Sequence, residues 1–179
     1  MTARTDSLAA ELVRRIKTRK IHNYRPYPWQ EAFHTAGKDN PEREICGANG
    51  VGKTFPAANE ISYHMTGLYP PWWKGRVFEH PVSCWIGSIS DRAQKDSVQP
   101  SLLGKDIAES LGTGTIPADF IVGKPKMRQS GTGDVVDSFQ VRHVSGGVSW
   151  GLMKTYKQGW RMWQGAAPDI GWLDEQPEE

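Results

Sequence analysis

The stretch Gly47-Ala48-Asn49-Gly50-Val51-Gly52-Lys53-Thr54 fits the pattern G-x-x-x-x-G-K-[ST]. Residues of these types at this spacing do one kind of chemistry. The glycines let successive backbone N–H groups close around phosphate oxygens at the start of a helix, where the helix dipole also favours negative charge. The lysine adds a full positive charge, and the hydroxyl beside it can join a divalent cation. Far downstream, the mostly apolar run Ile170-Gly171-Trp172-Leu173 ends in two adjacent carboxylates, Asp174 and Glu175. In a phosphoryl-transfer site one carboxylate holds Mg²⁺ beside the loop hydroxyl, often through water, and a second polarises the attacking water. Each motif is common alone, and it is their joint presence that predicts an α/β P-loop NTPase.

These groups act together only if the chain places them. Arg43-Glu44-Ile45-Cys46 is expected to form a short buried strand entering the loop, with Cys46 as a small buried residue. Lys53 to Ile61 is expected to form the helix that leaves it, and Pro56 falls in the first turn, where proline is tolerated. Successive strand residues point to opposite sides, so Asp174 and Glu175 take separate roles only if the strand ends and the chain turns there, as Pro177 predicts. Upstream, two prolines fix Tyr24-Arg25-Pro26-Tyr27-Pro28 as an extended segment that passes into a short helix from Trp29 to His34. A glutamine among aromatics just before a phosphate loop could read adenine, since its amide both donates and accepts and a ring can stack. Gln30 is that residue.

The remaining segments supply the frame. Ser7 to Lys20 is amphipathic at helical spacing, with Leu8, Leu12, Val13 and Ile16 on one face and Arg14, Arg15, Lys17, Arg19 and Lys20 on the other, which reads as a solvated basic face. Val82 to Gly87 reads as a second buried strand, and Asp91 to Leu103 as a helix capped by Ser90 or Asp91 and interrupted at Pro100. Ser138 to Ser145 and Val148 to Met153 flank Gly146-Gly147 as a hairpin. Between Gly104 and Asp137, Gly, Lys and turn residues dominate; Lys124, Lys126 and Arg128 read as solvated surface rather than a phosphate track.

A length of 179 residues buries a real core and leaves no case for two full domains. The net charge of +2 is too small to argue for nucleic acid, so such contact would rest on local patches. Cys46 and Cys84 have no partners at metal-ligand spacing, which predicts a reducing compartment and no zinc site. No apolar run approaches a membrane span and the N-terminus has no signal core, so the expectation is a soluble, cytoplasmic protein without membrane partners. Eight tryptophans, several beside Pro or Gly, read as packing anchors rather than base-stacking platforms.

The run Tyr156-Lys157-Gln158-Gly159-Trp160-Arg161-Met162-Trp163-Gln164-Gly165, with Pro168-Asp169-Ile170-Gly171-Trp172-Leu173-Asp174-Glu175-Gln176-Pro177 after it, resembles the segment through the Walker B strand of tailed-bacteriophage terminase large subunits. Tyr27-Pro28-Trp29-Gln30 is similar to their adenine motif, so the resemblance extends from Tyr24 to Glu179. It implies an ATPase domain over 24–179 behind an N-terminal arm over 1–23, with a mostly parallel sheet flanked by helices and with ATP and Mg²⁺ as ligands. Carried over by position, it implies that Lys53 serves the β- and γ-phosphates within the cradle of Gly47, Ala48, Asn49, Gly50, Val51 and Gly52. Thr54 and Asp174 hold magnesium, Glu175 is the catalytic base, and Gln30 meets adenine. Arg161 is the candidate for the arginine offered to a neighbouring subunit's nucleotide, although Trp160 stands where relatives more often have that arginine; Arg128, Arg142 and Arg92 compete for the role.

The family further implies a homomeric ring that drives double-stranded DNA into a prohead in the host cytoplasm, with the portal protein and small terminase subunit as partners. The sequence stops five residues after Asp174, where the family continues with another strand and then a nuclease domain. The expectation is therefore an ATPase segment whose sheet lacks a central member. Two other readings stay open, a helicase-like P-loop ATPase and a nucleotide-binding module without turnover.

Overall fold

The computed structural model describes residues 2–48, 50–131, 133–165 and 167–175. The chain runs through α1 (Thr2–Thr18), α2 (Lys20–Asn23), α3 (Pro28–Ala36), α4 (Thr54–Thr66), β1 (Ser83–Ser88), α5 (Asp91–Ala93), α6 (Gln99–Leu102), β2 (Lys126–Arg128), β3 (Val135–Arg142), β4 (Val148–Thr155) and β5 (Ile170–Asp174). Helix α4 begins where the glycine-rich loop ends, and Pro56 is accommodated in its first turn as expected. It stops at Gly67, whose φ of 75° lets its N–H turn back onto the Tyr63 carbonyl at 2.8 Å.

The sheet has the order β2-β3-β4-β1-β5. Strand β1 is parallel to β4 and β5, whereas β2 and β3 are antiparallel to their neighbours. The sheet is therefore mixed, which corrects the expectation of a mostly parallel one. The cause is local: the turn before β4, with Gly146 and Gly147 at positive φ, reverses the chain and makes β3 antiparallel. Register places Ser88 opposite both Thr155 and Asp174, so β1, β4 and β5 deliver their C-terminal ends at one level.

The strand expected over Arg43–Cys46 is not formed. Residues 42–48 carry no regular secondary structure, Ile45 is half-buried, and Cys46 is exposed rather than buried. A short strand persists only when a neighbour supplies the ladder, and β5 ends the order with β1 as its one strand neighbour among the described residues. A second correction concerns Pro100. A π turn over Gln94–Val98 joins α5 to α6, and Pro100 falls in the first turn of α6, so the helical path continues through it. The Ser90 hydroxyl caps this path, accepting from Ala93 N–H at 3.2 Å.

The core lies between α4 and the sheet. Ala58, Ile61 and Met65 pack with Cys84, Ile86, Val98, Leu102, Phe139, Val141, Met153 and Trp172. The other side of α4 presents Tyr63 to Ile21 and Tyr24, backed by Leu68, Tyr69, Trp72 and Trp73. Tryptophans 72, 73, 85, 163 and 172 thus serve packing, while Trp29 and Trp150 are exposed. Helix α1 forms, but Leu8, Leu12, Val13 and Ile16 remain exposed, so its apolar face is uncovered in this chain. No described helix is long and apolar enough to cross a membrane.

Ile86, 1% exposed at the centre of β1, touches this core on the α4 side. Ile86→Ala is expected to cost about 2–5 kcal/mol, because the surrounding sheet cannot collapse onto the void. Urea unfolding checks this.

Candidate functional site

Helix α4 starts at Thr54 with Lys53 at its N-cap, and the loop before it contains Gly50 and Gly52, both at φ 82°. That left-handed backbone strains any side chain, and a Cβ on either glycine would meet nothing within 4 Å, so the loop is open on that side. The Lys53 ammonium folds back and donates to the carbonyls of Gly47 at 2.6 Å and Ala48 at 3.0 Å. It thereby satisfies itself on the loop while remaining beside the exposed face of Gly47, Ala48, Gly50 and Val51. Asn49 lies outside the described residues.

The parallel pairing of β5 with β1 brings Asp174 to this loop. Thr54 Oγ1 donates to Asp174 Oδ1 at 3.4 Å, joining positions 120 residues apart. Burial pushes the Asp174 carboxyl above its ordinary range and the charge of Glu175 adds to this, opposed by the Thr54 hydroxyl and by Lys53. A half-buried carboxylate whose desolvation outweighs the help of a nearby hydroxyl and ammonium suits a cation.

Strand β5 ends at Asp174, and Glu175 follows with φ 66°, the one described non-glycine residue at positive φ. That geometry costs roughly 1–3 kcal/mol. It takes the exposed Glu175 out of the strand's alternation. Pro177, from which the turn was inferred, lies outside the described residues. The Tyr156 hydroxyl donates to the Glu175 carbonyl at 3.0 Å, and the Tyr156 ring leans on Trp163. Lys154 stands 3.4 Å over the Trp85 ring, its ammonium also donating to the Met162 carbonyl, and desolvation lowers its pKa. This cluster behind the carboxylates was not anticipated; it is assembled by cross-strand packing, for which the sequence holds no local signal.

Gln30 is 3% exposed, and its carboxamide oxygen accepts from Tyr27 N–H at 2.9 Å and Tyr24 Oη at 3.2 Å. The oxygen is used by the fold, as the cap of α3. Arg161 stands exposed on the 3₁₀ turn Trp160–Trp163. Of its competitors, Arg128 is held by Asp91 and Asp137, and Arg92 faces solvent beside Asp96. A second group missed from the sequence surrounds the buried Glu60 on α4, which His34, Arg43 and His64 all reach. The spacing of Glu60 and His64 by one helical turn was its sole sequence trace.

A raised carboxyl is a stability statement. Stability associated with Asp174 is present at low pH and is lost as pH rises through its folded pKa, because the folded chain holds that proton more tightly. Asp174→Asn is therefore expected to raise the melting temperature of the ligand-free chain at neutral pH. The difference should vanish in acid. Thermal unfolding of both proteins across that range checks it.

No family model matches this chain, and no solved structure matches it. Among curated proteins, the terminase large subunit of Salmonella phage P22 is 33% identical over 89% of this chain. The chain spans 35% of the length of that relative. The stretch that aligns takes in most of this chain, so the chain is related to the phage terminase large subunits.

Proposed function

We propose that this chain is a P-loop ATPase segment that binds ATP with Mg²⁺ at Gly47–Thr54 and, within its whole protein, hydrolyses it to move double-stranded DNA. The observation that carries the reading is the meeting of Thr54 and Asp174 beside Lys53, at the mouth of a glycine loop with an open backbone. A hydroxyl and a carboxylate meet there, with the Lys53 ammonium held on the adjoining loop, and these groups fit a magnesium–triphosphate. Magnesium, when bound, would neutralise developing phosphate charge, with Thr54 and Asp174 as its protein partners.

The other roles belong to the chain's own groups. Lys53 leaves the carbonyls of Gly47 and Ala48 to meet the β- and γ-phosphates, exchanging neutral acceptors for charged ones. Glu175, exposed beyond the strand end, orients and deprotonates the attacking water. The aromatic wall of Tyr156 and Trp163 holds the carbonyl of Glu175, and so keeps its carboxylate beside Asp174. Gln30 reaches adenine through its amide N–H₂, since its oxygen is committed to the fold. Arg161 is offered outward to the nucleotide of the next subunit in a homo-oligomeric ring. Kinship with the P22 protein supports a DNA-packaging role, and the host cytoplasm, the portal and the small terminase subunit belong to the same proposal.

A second reading is favoured by one observation: the stretch entering the loop stands outside the sheet. On that reading the chain holds ATP without turning it over until a further strand or a ring neighbour completes it. Calorimetric ATP binding and steady-state hydrolysis, with and without Mg²⁺, separate the two. Lys53→Ala is expected to abolish binding, and Glu175→Gln to retain binding while turnover falls about 10²–10⁴-fold. Binding without turnover in the wild-type chain selects the second reading, and binding unaffected by Lys53→Ala overturns both.

A further inference from the structure

Glu60 lies in the middle of α4 and is 6% exposed, a position where a carboxylate is rarely tolerated without partners. It has three. His34 Nδ1 is 2.6 Å away on α3, Arg43 Nη2 is 2.6 Å away on the stretch entering the loop, and His64 Nε2 is 3.4 Å away one turn along α4. Burial alone would push the Glu60 carboxyl up; hydrogen bonds from His34, His64 and Arg43 outweigh it and hold the group ionised well below the usual carboxylate range. The cluster continues outward on both sides. Tyr24 Oη stands 3.1 Å from His34 Nε2, and the His64 ring meets Tyr69 Oη, which accepts from Phe78 N–H at 2.8 Å.

Arg43 occupies a shaped slot within this cluster. Its Nη1 donates to the Phe33 carbonyl at 2.8 Å, and its guanidinium lies 4.6 Å from the centre of the Phe33 ring. Gly37 faces the guanidinium, and a Cβ there would come within 2.6 Å of Arg43 Cζ. Residues 42–48 have no strand ladder to position them. Arg43, four residues before Gly47, ties that stretch to α3 and α4 at once.

We propose that Glu60 is a positioning residue for the phosphate loop. By gripping Arg43 it fixes where the chain enters at Gly47, so that the loop is ordered before nucleotide arrives and less binding energy is lost in ordering it. This rests on the reading of Gly47–Thr54 as a phosphate-binding loop.

Two substitutions test it. Arg43→Lys keeps the charge but lacks the planar fork needed to serve the Phe33 carbonyl and Glu60 together. Glu60→Gln keeps the shape and removes the charge. Backbone amide exchange of the full chain without nucleotide should speed up about tenfold or more over residues 44–52 in both variants, with β1 and β4 unchanged. ATP affinity should weaken about tenfold, while turnover at saturating ATP holds. Loop exchange equal to wild type in Arg43→Lys overturns the proposal, as does a uniform rise in exchange across β1 and β4. If the loop loosens as expected but wild type binds no ATP, the tether stands and the phosphate reading fails. If Glu60→Gln does not fold, Arg43→Lys, at a half-buried position, decides alone.

Discussion

From Ala58 to Thr66 every residue of α4 is buried, one side against the sheet and the other against the aromatic layer of Tyr24, Tyr69, Trp72 and Trp73. A helix enclosed in this way cannot shift without opening packed surface on both sides, which protein interiors resist. Its N-terminus therefore has a set position relative to β5, and Lys53 and Thr54 inherit that position. The carboxyl end of β5 is set in turn by its parallel register on β1, which aligns Asp174 with Ser88. The contact between Thr54 and Asp174 is the place where these two constraints meet.

What surrounds that contact is locally unfavourable. Asp174 is a carboxyl whose desolvation outweighs the help of its neighbours, and Glu175 is held at a positive φ that its side chain disfavours. Both are sustained by structure built elsewhere. Gly87, on β1 between Lys154 and Leu173, has no side chain, and a Cβ there would lie 2.7 Å from Trp163, 2.9 Å from Leu173 and 3.3 Å from Tyr156. The bare backbone at Gly87 lets the aromatic wall close on the sheet, and Tyr156 then holds the Glu175 carbonyl. Strain and unbalanced charge at a site, upheld by a rigid surround, are the usual mark of groups placed for a ligand rather than for stability.

Kinship with the P22 terminase large subunit and the geometry of the site are two different lines of support. The first rests on sequence over 89% of the chain. The second rests on hydrogen-bond donors and charge brought together by folding. Neither the loop nor the Asp–Glu pair would carry a function alone, since glycine turns and acidic strand ends are both common.

The glycine loop, the helix after it, the hairpin about Gly146-Gly147 and the carboxylates ending β5 were legible in the sequence. Each is a local matter, of backbone freedom, a first-turn proline or apolar residues giving way to charge. The stretch Arg43–Cys46 was misread because a strand is a relation between two segments, and apolar character cannot say whether a partner lies alongside. The same holds for the mixed sheet, whose direction depends on which strands become neighbours. Glu60 shows the limit most plainly: its partners His34 and Arg43 lie 26 and 17 residues away, and no periodicity links them. Which groups can do phosphate chemistry follows from residue type and short-range spacing, and so is written in the chain's order. Where Thr54, Asp174, Arg43 and Glu60 stand is settled on folding, because burial and contact across long separations are set by packing of the whole chain.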